Sequence, residues 1–471
     1  MFANRHSVHP VSPARRRLLR SLFLSGGALA LSPLLKACGS STTLAGALKG
    51  AGQLNIPVGP LAGIGPLGAP DADGVAVPEG FTVRAVARTG TPPAVGSTYA
   101  WHTFPDGGAT YARPEGGWVY TSNSEVPGGA GGCGALVFDA DGSVVDAYSI
   151  LSNTSSNCAG GRTPWNTWLS CEEDASGQVW ETDPFGAVGA VPKPALGLFA
   201  HEAAGVDLRN RVVYLTEDEG NGRLYRWVAD AGDLAAADGR LALEAGTLQV
   251  MNVMGFEDGG YPAIEQIREL LPVSWADAVS PDQPQADVRS GLSAAGKPVP
   301  GTQIKGGEGI WFYELPAAAA TVPPGGLQPT RGIVFFSSKG DNRIYALDVE
   351  NQLIEVIFDN AQIEPDFDDV DNVTVSPWGD VIVVEDLTVV GRAIRMIVVV
   401  PNKPARVLVE LTQPGSEITG PAFSPDGSRL YFSSQRGPNV PGGQAGVPDD
   451  APGCGTGATY ELTIPPEFRG A

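Results

Sequence analysis

Histidine and cysteine are scarce in this 471-residue chain. It contains 4 histidines, and removal of the N-terminal segment described below would leave only His102 and His201. Mechanisms that need several histidines, such as a histidine zinc site or a phosphohistidine intermediate, are therefore disfavoured. The 5 cysteines include no CxxC pair, so a structural zinc knuckle is also disfavoured.

Basic residues are outnumbered by acidic ones. The chain has 31 Lys and Arg against 52 Asp and Glu, for a net charge of −21. Residues 1–37 carry six basic and no acidic side chains, so without them the charge is 25 − 52 = −27. Such a surface repels polyanions, which disfavours nucleic acid as a partner. Solubility explains an acidic balance most simply, but carboxylates gathered in one place would need multivalent cations such as Ca²⁺.

A long uninterrupted apolar run is missing as well. Residues 12–38 start with Arg15 and Arg16, continue into an apolar stretch broken by Gly and Ser, and end on small residues. This segment resembles a twin-arginine export signal and is too short and broken for a transmembrane helix. We therefore expect the export machinery as a partner, a periplasmic or secreted location, and a monomer. Residues 35–38 leave two alternatives open: a lipid anchor on Cys38, or ordinary signal cleavage.

Turn-forming residues are abundant. The chain has 62 Gly and 40 Pro, yet 42% of its residues are hydrophobic, which predicts a turn-dense, ordered, all-β protein. Repeated hairpins at irregular intervals fit a β-propeller with loop insertions better than a two-sheet sandwich. The hairpins are predicted at 136–150, 211–228, 332–349, 373–387 and 421–434.

These patterns divide the chain into three parts. Residues 1–38 are expected to form the signal segment, 39–80 an irregular tether or entry segment, and 81–471 a single propeller domain. Within that domain, residues 262–279 have a helical pattern, and 280–303 read as a polar, Pro-rich loop. We expect one or two short helices in all.

Acidic side chains concentrate where predicted strands begin or end. Since strand ends from every blade of a propeller converge on the central channel, these side chains are expected to share one polar pocket. Cys171 lies in one such cluster, CEED, where a thiol beside carboxylates suits a softer ion such as iron. The alternatives for Cys171 are a buried thiol or a Cys158–Cys171 disulfide, with Cys133–Cys454 as a second disulfide. The clusters are SNSE (122–125), CEED (171–174), HE (201–202), TEDEGNG (216–222), GGEG (306–309), DN (371–372) and VVED (383–386).

Several longer blocks occur in a characteristic order over residues 80–465. They resemble the PhoX-type alkaline phosphatase family, which implies a six-bladed propeller, twin-arginine export, bound iron and calcium, and hydrolysis of phosphate esters. The blocks are NCAGGRTPWNTWLSCEED, LFAHEAAGVD, VVYLTEDEGNGRLYRW, GGEGIWF, DNVTVSPWGDVIVVED and SEITGPAFSPDG.

The resemblance also implies a ligand set. Cys171 would be the iron thiolate and Glu172 a calcium ligand beside it. The remaining carboxylates of the iron pair would be Glu202, Glu308 and Asp371. Ligands of outer Ca²⁺ ions would be Asn123, Glu125, Glu385 and Asp386.

The chain departs from the family pattern at Gly306, where the family carries a phosphate-clamping arginine. A guanidinium binds phosphate through a planar fork that an ammonium does not reproduce. Lys339 and Lys305 are the candidate catalytic substitutes, with Arg343 as a further one.

Three hypotheses follow for the activity. The first is an iron- and calcium-dependent phosphatase acting on a small phosphate ester. The second is a calcium-dependent propeller hydrolase of another class, for example a lactonase-like enzyme. The third is a non-catalytic propeller that metals only stabilise.

Overall fold

The computed structural model describes residues 53–470, except 236–238, 261–268, 362–366, 387–391, 402, 413–415 and 438–455. All of these residues belong to one compact unit, 51–471. The expected signal segment, with Cys38, lies outside the described residues, as does Cys454. No described helix is long and apolar enough to cross a membrane.

The described strands form antiparallel sheets whose members mostly follow one another along the chain. The first unit contains Pro105–Ala112, Trp118–Ser124, Gly131–Phe138 and Val144–Thr154. The second contains Gly161–Arg162, Trp168–Cys171, Val179–Thr182 and Val191–Pro192. The third contains His201–Asp207, Val212–Glu217, Leu224–Ala229, Gly246–Val253 and Leu271–Asp277.

The later units follow the same plan. The fourth contains Gly307–Glu314, Gly332–Ser338, Arg343–Asp348 and Leu353–Asp359. The fifth contains Val370–Val375, Val381–Glu385, Ile394–Val399, Arg406–Leu411 and the early strand Val75–Ala76. The sixth contains Ile418–Phe423, Arg429–Ser434, Ala458–Thr463 and Thr82–Arg88. A short ribbon, Leu234–Ala235 with Arg240–Leu241, and one α-helix, Gln285–Ala294, lie between strands of this series.

Two features join the units. The third and fourth form one nine-stranded sheet, because their outer strands pair at Leu271↔Ile354. The sixth combines the strand Thr82–Arg88 with the last described strand, in the register Thr82↔Thr463, so the ring closes by pairing both ends of the domain. The architecture is therefore the predicted all-β propeller.

Hydrophobic cores lie between neighbouring units. The core between the fifth and sixth units includes Ile382, Met396 and Phe432, all fully buried. Leu61 and Val75 from the expected tether pack into the same core. The described part of that segment therefore covers the propeller instead of standing apart from it.

The five predicted hairpins are confirmed, but the helix prediction is wrong where it can be checked. Of the region 262–279, residues 262–268 lie outside the described part, and Leu271–Asp277 is a strand paired through Met251↔Trp275. The α-helix instead occupies 285–294, inside the predicted loop. Its buried residues are Gln285 and Arg289, so it lacks the apolar periodicity by which helices are recognised.

The innermost strands approach each other closely around the axis. A Cβ at Gly107 would lie 1.8 Å from the carbonyl oxygen of Ala159, and one at Gly161 equally close to that of Ala204. Only glycine fits such contacts, so these residues allow the ring to close with a narrow channel. The narrowness forces side chains at the channel mouth into contact.

Candidate metal centre

A β-bulge interrupts the innermost strand of five units near its first residues. In four of them the bulge contains an acidic residue: Asp106, Glu202, Glu308 or Asp371. The bulge of the sixth unit contains Gly420 instead. A bulge adds one residue to a strand and re-aims the side chain there. The repeated bulges therefore turn carboxylates from separate units towards one channel mouth.

Nine potential ligands meet there in four overlapping groups. Within each group, ligand atoms lie within 4.8 Å of one another. Cys158, Glu202 and Asp371 each belong to two groups, so the groups form a continuous line. The groups are Asp106, Glu125 and Cys158; Cys158, Glu173 and Glu202; Glu202, Glu308 and Asp371; and Asp371, Asp386 and Glu417.

Burial and mutual repulsion disfavour the ionised forms of these acids. Burial, followed by the neighbouring charge of Glu308, raises the pKa of Glu202 well above its ordinary value. Burial, followed by the charge of Glu125, raises the pKa of Asp106 in the same way. For Glu173, burial and then Glu125 raise the pKa to about 9. Without cations, these carboxylates would therefore share protons at neutral pH.

The donor set fits metal ions. Glu202 is fully buried, and its Oε2 has no hydrogen-bond partner among the described residues. A buried carboxylate oxygen without a partner is costly unless a cation binds it. Carboxylate oxygens suit Ca²⁺, and the thiol of Cys158 suits a softer ion such as iron. The residues present can therefore hold a mixed metal centre.

Lys339 lies within the centre. Its Nζ is 3.1 Å from Glu308 Oε1, 3.0 Å from Asp386 Oδ2 and 3.7 Å from Asp371 Oδ2. Burial lowers the pKa of Lys339, but the nearby carboxylates outweigh this and raise it well above its ordinary value. Lys339 is therefore a fixed positive charge beside the ligands, at the place where the sequence predicted a catalytic lysine.

The thiol of the centre is Cys158 rather than the expected Cys171. Cys171 is fully buried in a hydrophobic cluster with Leu169, Val179 and Leu196. The preceding Ser170 points the other way and donates to Asn123, as the alternation of a strand requires. Cys158 and Cys171 are both free, so the alternative disulfide between them is also wrong.

Three further predicted ligands have hydrogen-bond or ion-pair partners within the protein. Glu172 accepts hydrogen bonds from Ser155 N, Gln178 N and Trp180 Nε1. Asn123 accepts from Trp168 Nε1 and Ser170 Oγ and donates to the carbonyl oxygen of Cys158. Glu385 pairs with Arg392 and Arg395. These residues hold the loops around the centre. Of the predicted ligands, the structure brings together Glu125, Glu202, Glu308, Asp371 and Asp386.

Four members of the centre were missed from the sequence. Cys158, Glu173 and Glu417 all stood inside the blocks quoted above, in NCAGG, CEED and SEITG. Asp106 stood outside them, in PDGG at the start of the strand Pro105–Ala112. Its signal was an acidic residue followed by two glycines, which is compatible with a bulge on a tightly packed inner strand.

The three residues expected to replace the arginine that the family carries at position 306 lie in different surroundings. Arg343 is buried and pairs with Asp359 and Asp341, so it is placed as a structural residue. The carbonyl oxygen of Lys305 accepts from Ser338 Oγ and Gly340 N, which holds its backbone against the turn that carries Lys339. Of the three candidates, Lys339 makes the described contacts with the acidic ligands.

A propeller with a carboxylate- and thiol-lined mouth defines a candidate metal-dependent hydrolase. Residues 118–182, 174–319 and 336–437 match the family described as alkaline phosphatase PhoX. This chain belongs to the PhoX alkaline phosphatase family, and it is an enzyme of the phosphatase class. No curated protein sequence matches the chain significantly.

Two solved structures are similar to this chain to different degrees. The structure of Pseudomonas fluorescens PhoX in complex with vanadate, a transition state analogue, is 16% identical and covers 88% of this chain and 99% of its own, with a TM-score of 0.61. A gluconolactonase from Xanthomonas campestris is 12% identical and covers 85% of this chain and 98% of its own, with a TM-score of 0.39. The first similarity supports the propeller fold.

Proposed function

We propose that this protein is an exported phosphatase that hydrolyses small phosphate monoesters at an iron- and calcium-binding centre in its channel mouth. The observation that carries the proposal is the continuous line of eight carboxylates and one thiol. Family membership supports the phosphatase activity, and Pseudomonas fluorescens PhoX was solved with a transition state analogue.

The ligand types divide the centre between two kinds of ion. Cys158 lies in two of the four groups, with Glu202 and Glu173 in one and Asp106 and Glu125 in the other. Iron is expected beside this thiol, whose pKa burial and the charge of Asp106 raise, so that a cation is needed to hold the thiolate. Ca²⁺ is expected at the groups made of carboxylates alone.

When bound, the ions would supply Lewis-acid stabilisation of the charge on the phosphoryl group. The protein's own contribution is position and charge. Lys339 places an ammonium among three ligands, where it can neutralise a phosphoryl oxygen as the bond between phosphorus and the leaving alcohol breaks. Hydrolysis of a monoester then yields an alcohol and inorganic phosphate.

Histidine has no part in this mechanism. Burial lowers the pKa of both His102 and His201 to about 3, so both are neutral at physiological pH. His102 contacts Tyr99 OH and Ser122 Oγ, and His201 Nε2 contacts the carbonyl oxygen of Gly197. Phosphoryl transfer depends mainly on positioning and electrostatic stabilisation, so a general acid–base histidine is not required.

Export belongs to the proposal as well. The twin-arginine machinery carries folded proteins, so the metals could be inserted before or after transport. A periplasmic or secreted monomer remains the expectation, with a lipid anchor on Cys38 as an open alternative.

The test uses protein purified from the periplasm of cells that express the full chain. Elemental analysis should find iron together with calcium, p-nitrophenyl phosphate should be hydrolysed, and a chelator should abolish turnover. Cleavage of lactones without cleavage of phosphate esters would favour the lactonase-like alternative. No cleavage of either, with a chelator-sensitive melting temperature, would leave a metal-stabilised binding protein.

A further inference from the structure

The centre needs positive groups at its mouth if a phosphate dianion is to approach eight carboxylates. Among the ion pairs of the described residues, two basic side chains contact these carboxylates. Lys339 contacts Glu308, Asp371 and Asp386. Arg436 contacts the last member of the line, with its guanidinium 3.3 Å from Glu417 Oε1.

Gly306 cannot supply a third such group. Its backbone has φ +62°, and a Cβ there would lie 2.8 Å from Asp218 Oδ1. A side chain at position 306 would therefore be strained by the positive φ, and the Asp218 carboxylate would have to move to admit it. A guanidinium for this site has to come from another element of the fold.

Arg436 is held at the junction of two ligand groups. The preceding residue, Gln435, donates to Asp106 at 3.0 Å and also to Glu125. The Arg436 backbone N–H donates to Ser416 Oγ at 2.9 Å, beside Glu417. Its side chain is 25% exposed, so part of it reaches solvent while the guanidinium contacts Glu417.

We propose that Arg436 is a substrate-binding residue that holds the non-bridging oxygens of the phosphoryl group. A planar guanidinium offers paired N–H donors that match two such oxygens, whereas Lys339 supplies a single point of charge. Arg436 thereby selects phosphate monoesters over esters that lack a tetrahedral anion. This inference rests on the proposed phosphatase function and adds the residue that recognises its substrate.

The test compares Arg436→Ala and Arg436→Lys with the unaltered protein, all loaded with metals. Arg331→Ala is the matched control, because Arg331 is an exposed arginine paired only loosely with the exposed Glu314. Three quantities are measured: the dissociation constant of inorganic phosphate by calorimetry, KM and kcat for p-nitrophenyl phosphate, and bound iron and calcium.

Arg436→Ala should weaken phosphate binding about tenfold to a hundredfold, the range expected for a lost charge-assisted hydrogen bond. KM should rise in parallel, Arg436→Lys should lie between, and Arg331→Ala should match the unaltered protein. Metal content should not change. If Arg436 merely balanced Glu417, metal content would change, and phosphate binding compared at equal metal content would not.

The outcomes separate this inference from the function on which it rests. If the enzyme turns over p-nitrophenyl phosphate but its affinity for phosphate is unchanged in the Arg436 variants, the inference alone would be overturned. Arg436-dependent phosphate binding without turnover would support the inference and overturn the phosphatase activity. Failure of the metal-loaded protein to bind phosphate at all would overturn both.

Discussion

Two regions of this propeller bury carboxylates in opposite ways. Glu217 is fully buried and bonded to Arg289, with Nη2 2.8 Å from Oε1 and Nη1 2.9 Å from Oε2. Glu202 is equally buried but has other acids as its charged neighbours. Burial is the largest influence on the pKa of both carboxyl groups. The next largest differs: the charge of Arg289 lowers the pKa of Glu217, whereas the charge of Glu308 raises the pKa of Glu202.

The difference distinguishes a buried acidic residue that stabilises the fold from buried acidic residues that bind metal. Arg289 comes from the single described α-helix, so the Glu217 pair fastens the inserted helix to the propeller. The ionic partner of Glu217 is part of the chain. The centre around Glu202 lacks enough basic residues among those described, so its counterions have to be bound from solution. Sequence composition does not separate the two cases, because both are acidic residues at strand ends.

The largest expected effect is a difference in kcat/KM between variants of Glu202 and Glu217. Glu202→Gln removes a ligand shared by two groups and should lower kcat/KM for p-nitrophenyl phosphate about a hundredfold or more, with loss of bound metal. Glu217→Gln should change kcat/KM of the folded enzyme by less than about tenfold. Equal losses in both variants would remove the distinction.

Stability should show the reverse order. Arg289→Ala leaves Glu217 buried without its partner and should lower the free energy of unfolding by about 3–5 kcal/mol in urea titrations. Lys339→Ala in metal-loaded protein should cost much less, because the ions neutralise the same carboxylates. An Arg289→Ala variant as stable as the unaltered protein would show that the helix is not fastened by this pair.

The free thiols of Cys158 and Cys171 should differ in the same way, one serving the metal centre and the other the fold. Cys158→Ser should reduce bound iron and any iron–thiolate absorption band. Cys171→Ser should leave iron in place and lower the free energy of unfolding by about 1–3 kcal/mol, since a hydroxyl would enter an apolar cluster. Loss of iron on Cys171→Ser alone would reverse the assignment of the thiol.

The smallest expected effect is a change in the stability of the metal-free protein with pH. Burial raises the pKa of Asp371 to about 6 and that of Glu125 to about 7. The folded state then binds more protons than the unfolded state, so the stability these groups contribute is present below their ordinary pKa and is lost as pH rises to about 7. Urea midpoints of the metal-free protein should fall between about pH 4 and pH 7. Metal-loaded protein should not follow this trend, because metal ions bind the deprotonated ligands.

The sequence predicted more of the fold than of the metal centre. Alternating hydrophobic residues and turn signals located all five hairpins, because strand periodicity is a local property. Helix 285–294 was missed because it buries Gln285 and Arg289, and no local pattern reveals a salt bridge to Glu217.

The site depended on details that sequence alone leaves undetermined. The resemblance named Glu202, Glu308 and Asp371 as ligands, and the bulges of the inner strands bring them together in the structure. The resemblance assigned the iron thiolate to Cys171. Cys158 lies in the same block, and only the direction of each side chain in the structure separates the two. Asp106 meets Glu125 and Cys158, and Glu417 meets Asp371 and Asp386, through contacts between separate strands and loops that no local sequence pattern shows.

Anomalous diffraction from crystals of the metal-loaded protein, collected at the iron edge, tests the metal centre most directly. The account predicts iron at bonding distance from Cys158 Sγ and from an oxygen of Glu202 or an adjacent ligand. Iron bound elsewhere, or a centre that stays free of metal in fully active protein, would contradict it.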